Sequence, residues 1–88
     1  MDKQDLYAYE STANDLHGEY QQLAALLPDA TPESDAAQNA INRLEGAIVA
    51  GLQQPAQADR AVLDRFVLVA LRALRELRDL IDAAADQP

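Results

Sequence analysis

Cysteine is absent from this chain, which excludes disulfides, thiolate metal sites and a cysteine nucleophile. Histidine occurs once, as His17, and there is no HExxH run, no ExxH pair and no Gly-rich phosphate loop. The two serines, Ser11 and Ser34, sit in helical or capping contexts without a neighbouring base. With no catalytic constellation present, no enzymatic activity, cofactor or metal is expected. Basic residues are also scarce: seven Lys and Arg stand against fifteen Asp and Glu, a net charge of −8. A phosphate backbone needs a basic face, so nucleic acid is not expected as a direct ligand. No apolar run approaches the roughly 20 residues of a membrane span. The first ten residues, MDKQDLYAYE, contain no apolar leader segment, so a cytoplasmic location is expected.

What remains is one small domain of 88 residues. A chain of this size buries roughly 60–65% of its unfolded surface, so it gains from efficient packing or from self-association. Its acids are unevenly spread. Residues 1–42 carry eight acids and only Lys3, a net of −7, whereas residues 43–88 carry seven acids and six Arg, a net of −1. The 18 alanines and the preference for Arg over Lys resemble GC-biased coding and point to a bacterial or phage origin.

Proline punctuation divides the chain into three helical segments, over about 2–27, 32–53 and 56–85. Asp2 and Asp5 are placed to form an imperfect capping box at the front. In LPDATPES, Pro28 stops one helix, Thr31 is an N-cap, Pro32 suits the first helical position, and Glu33 and Asp35 favour the dipole. Pro55, in GLQQPAQAD, separates the second helix from the third. Each segment carries an apolar stripe at steps of three and four. The first is Leu6, Tyr9, Ala13, Leu16, Tyr20, Leu23 and Leu27. The second is Ala37, Ile41, Leu44, Ile48 and Leu52, flanked by Ala40, Ala47 and Gly51, whose small size favours close packing. The third is Leu63, Phe66, Ala70, Leu74, Leu77, Ile81 and Ala84. Three stripes and two short connections predict an all-α, antiparallel three-helix bundle, with the first helix the most loosely held.

The third segment has more apolar residues than its stripe needs. In FVLVAL, residues 66–71, Phe66, Val67 and Ala70 fall on the core side, while Val69 and Leu71 lie just outside its two edges. Leu68 points at the charged side, where Arg65, Leu68, Arg72, Arg75 and Asp79 form a second stripe about 140–180° from the core. Arg72–Glu76, Arg75–Asp79 and Arg78–Asp82 are spaced for i,i+4 ion pairs on a solvated face. On the first helix Tyr7 lies opposite the stripe, either as a scattered surface aromatic or as a contact anchor. His17 sits beside the Leu16 stripe as a boundary residue.

These features predict a non-enzymatic protein–protein interaction module, a small acidic helical adaptor, chaperone or inhibitor. Leu68, Val69, Leu71, Arg65, Arg72, Arg75 and Tyr7 are its candidate contact residues. Its expected partner is a protein, with self-association as a homodimer through the third helix. An alternative is a nucleic-acid mimic that presents Asp2, Asp5, Glu10, Asp15 and Glu19 at phosphate-like spacing. A small enzyme is the least favoured reading.

Overall fold

The second helix starts where the chain satisfies its own orphan amides. Thr31 Oγ1 accepts from the Ser34 N–H at 3.1 Å, and Ser34 Oγ accepts from the Thr31 N–H at 2.9 Å. This reciprocal capping box fixes the start of the helix at Pro32. It also explains how a serine can be buried here, since no buried side-chain polar atom among the described residues lacks a partner. The computed structural model describes residues 1–86. They form α1 (Lys3–Ala24), α2 (Pro32–Gln53) and α3 (Arg60–Ala85), with a single 3-10 turn, Pro55–Gln57, between the last two.

Three boundaries differ from the sequence expectation, each for a local reason. Asp2 occupies the N-cap position of α1, but its side chain makes no capping bond. Asp5, its expected partner in the box, is paired with Arg60 of α3 at 3.0 Å instead. α1 stops at Ala24 rather than Leu27 because the Leu26 and Leu27 amides bond to the Leu23 and Ala24 carbonyls, tightening the last turn. Pro28 disfavours helical backbone at Leu27 and makes that early stop permanent. α3 starts at Arg60, not near 56, because Asp59 is a stronger start signal than Pro55. The Asp59 side chain accepts from the Ala61 N–H at 2.9 Å.

α1 and α3 run parallel, since Asp5 meets Arg60 and Glu19 meets Arg78, and α2 runs back between them. This is the expected three-helix bundle. Its core contains Leu6, Ala13 and Leu16 from α1, Ala37, Ala40, Ile41, Leu44 and Ile48 from α2, and Leu63, Ala70, Ala73, Leu74 and Leu77 from α3. Tyr9, Tyr20, Leu23, Leu27, Leu52, Phe66, Val67 and Ile81 lie partly buried against it. Ala84 was expected in the stripe but is exposed. Arg78 pairs with Glu19, so Ala24 at the end of α1 lies level with about residue 83, and α3 runs on without that neighbour.

Of the three glycines, Gly51 alone sits at a close approach between elements. A Cβ there would sit 2.9 Å from Leu6 Cδ2 and 3.2 Å from Ala58 Cβ. Leu6 is fully buried, so it has little room to yield. Glycine is the residue that lets α1 and the chain after the 3-10 turn both close onto α2.

Candidate protein-docking site

α3 has neighbours on two flanks, and they cover it differently. The α2 flank packs through apolar side chains, with Val62 and Val69 left exposed at its outer edge. On the α1 flank, long polar side chains span the gap: Arg60 to Asp5, Arg78 to Glu19, and the Tyr9 hydroxyl donating to Asp64. The Asp64 carboxylate holds the Tyr9 hydroxyl above its ordinary value by accepting its proton in a hydrogen bond. Partial desolvation and the carboxylate's charge act in the same direction, and Arg60 opposes them. Between these polar ties the α3-facing side of α1 carries exposed Thr12, whose hydroxyl turns back to the Ala8 carbonyl. No large apolar residue is available there to cover Leu71.

The result is an open groove along the α1–α3 seam. Leu74 lies at its base and Leu68 and Leu71 along it, with Arg72, Arg75, Arg78 and Glu19 completing the lining. Leu74 is 2% exposed, Leu71 46% and Leu68 65%. The gradient shows apolar surface continuing from the core to the outside along one helix. Three of the chain's seven basic residues line this groove, on a protein whose net charge is −8. The groove can therefore hold an apolar side chain while its arginines face carboxylates beside it.

The other candidate residues are placed elsewhere. Val69 is on the opposite flank of α3, seven residues after Val62 and so on its side of the helix. Val62 lines a notch with Ala47, Ala50, Gly51 and Ala58. Arg65 is exposed on the outward face, a turn before Leu68, but does not line the groove. Tyr7 is 53% exposed on α1, opposite that helix's buried stripe, and joins neither surface. The structure thus brings Leu68, Leu71, Arg72 and Arg75 together and separates Val69 and Tyr7 from them.

The expected ion pairs inside α3 do not form. Among the described residues the ion pairs are Arg60–Asp5, Arg78–Glu19 and His17–Glu45. Arg78 reaches across to α1 instead of down to Asp82. Exposed i,i+4 pairs are worth only tenths of a kcal/mol, so a carboxylate presented by a neighbouring helix readily competes. Glu19 and Arg78 are site residues that the sequence reading missed, because their alignment depends on how α1 sits against α3. Exposed Val49 and Val62 were also missed, although each lies off its helix's stripe.

His17 is a boundary residue, as expected. Its Nδ1 lies 3.2 Å from Glu45 Oε1 and its Nε2 3.1 Å from Gln21 Nε2. A tautomer with Nδ1–H donating to Glu45 and Nε2 accepting from the Gln21 amide satisfies both contacts. No group of three or more His, Cys, Asp and Glu among the described residues is arranged to hold a metal ion. Of the five acids in the mimic reading, Asp5 and Glu19 are tied to Arg60 and Arg78. Among the described residues no helix is long and apolar enough to cross a membrane. Comparison of the chain with protein-family models, curated proteins and solved structures finds no match.

Proposed function

We propose that this protein is a non-enzymatic docking module that binds another polypeptide along the α1–α3 groove. The observation that supports this reading is Leu68, 65% exposed, in a groove with Leu71, Arg72 and Arg75. An isolated exposed leucine needs no explanation. Here, however, the leucine continues an apolar path to the core and has cations beside it. An amphipathic helix laid along the seam places one apolar residue against Leu68 and Leu71, and acids on its edges against the arginines. Helix-in-groove docking of this kind suits an adaptor, a chaperone or an inhibitor and requires no catalysis.

A photo-crosslinking side chain at Leu68, with one at exposed Asn39 of α2 as the control, tests the reading in the expressing cell. Crosslinked polypeptide is expected at position 68 well above the control, and is expected to fall when Arg72 and Arg75 are changed to Glu. Equal, background-level products at both positions would overturn the assignment. Circular dichroism of each variant separates lost docking from lost folding.

A further inference from the structure

The outward face of α3 is divided by charge along its length. Arg65, Leu68, Arg72, Arg75, Asp79, Ala83 and Asp86 project within an arc of about 80°, and all are exposed. The basic members occupy the first half of the stripe and the acidic members the second. Among the described residues no ion pair engages Arg65, Arg72, Arg75, Asp79 or Asp86. Such a stripe is complementary to itself in one direction only. Two parallel copies set Arg against Arg, whereas two antiparallel copies set each basic half against an acidic half.

We infer that the occupant of this face is a second copy of this chain, its α3 antiparallel to the first about a two-fold axis near positions 75 and 76. The inference rests on the docking reading of α3 and names the partner. In that register Arg72 meets the partner subunit's Asp79, and Arg65 approaches the partner subunit's Asp86. Leu68 lies over the partner subunit's Ala83. This register also covers the end of α3, where residues 82–85 are all exposed. The uncovered leucine and the uncovered last turn thus become the two halves of one isologous contact. Arginines with no carboxylate in their own chain find one in the second copy.

Sedimentation analysis over a wide concentration range should give a species of twice the 9.6 kDa chain mass. Arg72→Asp with Arg75→Asp should weaken it by more than about tenfold, as the loss of close charge pairs does at other interfaces. Adding Asp79→Arg and Glu76→Arg, the positions opposite the two reversed arginines, to that double variant restores complementarity and should restore the dimer. Because the chain has no cysteine, single-cysteine crosslinking reports the direction. Glu76→Cys, beside the axis, should oxidise to a covalent dimer. Leu68→Cys should not, since two such residues lie roughly 20 Å apart by helix rise. Mixed with Ala83→Cys, it should crosslink. A wild-type chain that stays monomeric at every concentration would overturn the inference, as would a dimer indifferent to the charge reversals or one crosslinked by Leu68→Cys alone. If the chain is monomeric but a probe at Leu68 still captures a different protein, the second copy is ruled out and the docking reading stands.

Discussion

Between α2 and α3, contact is extensive and apolar, and among the described residues no side-chain hydrogen bond joins the two helices. Contact between α1 and α3 is much more limited, and the two are tied by Asp5–Arg60, Tyr9–Asp64 and Glu19–Arg78. α1 contributes three buried residues, against seven from α2 and five from α3. Apolar burial contributes in proportion to area and is insensitive to moderate salt. Exposed ion pairs contribute roughly 0–1 kcal/mol each and are screened. One helix thus has a strong seam on one side and a weak seam on the other. The weak seam is the one that leaves Leu68 and Leu71 open. The same shortage of buried apolar residues on α1 leaves the groove along the α1–α3 seam.

The comparison can be broken first at its strong side. Leu44 is fully buried, and Leu44→Ala should cost about 2–5 kcal/mol through lost transfer energy and the cavity it leaves. In a urea titration followed by circular dichroism, all three helices should then unfold together at a much lower midpoint. A smaller effect separates the glycines. Gly51→Ala forces a methyl against Leu6 and Ala58 and should destabilise by about 1–3 kcal/mol. Gly46 has open space where a Cβ would go, so Gly46→Ala should stabilise by about 0.5–1 kcal/mol from helix propensity. Equal effects at the two sites would remove the argument that α1 closes tightly onto α2 at Gly51.

The weak side responds to gentler changes. Arg78→Ala should cost only about 0.2–1 kcal/mol. Hydrogen exchange should show α1 amides opening more readily than those of α2 and α3, with the difference growing in high salt. Tyr9 supplies a pH signature of the same seam. Its folded-state pKa is raised above 10.0, so the fold favours the protonated hydroxyl. The stability this contributes is complete below pH 10.0 and is lost as pH rises through the higher folded-state value. Urea midpoints should therefore decline above pH 10, and Tyr9→Phe should flatten that part of the curve.

The sequence by itself determined the three helices, their apolar stripes and half of their ends. These follow from spacing along the chain and from local chemistry, as at Thr31, Ser34 and Pro32, where cap and helix start lie within four residues. Leu68 was also legible, because a leucine between Arg65 and Arg72 on a helix's charged side needs no tertiary information to stand out. Only the tertiary structure decided which acids the arginines meet. Asp82 and Glu19 offer Arg78 similar energies, and the level at which α1 rests against α3 selects Glu19. It likewise decided that Leu71 joins Leu68 in a groove while Val69 faces the other way. The two residues are symmetric about the core edge in sequence. What distinguishes them is which neighbouring helix lies on each side, not cover, since Val69 is 48% exposed and Leu71 46%.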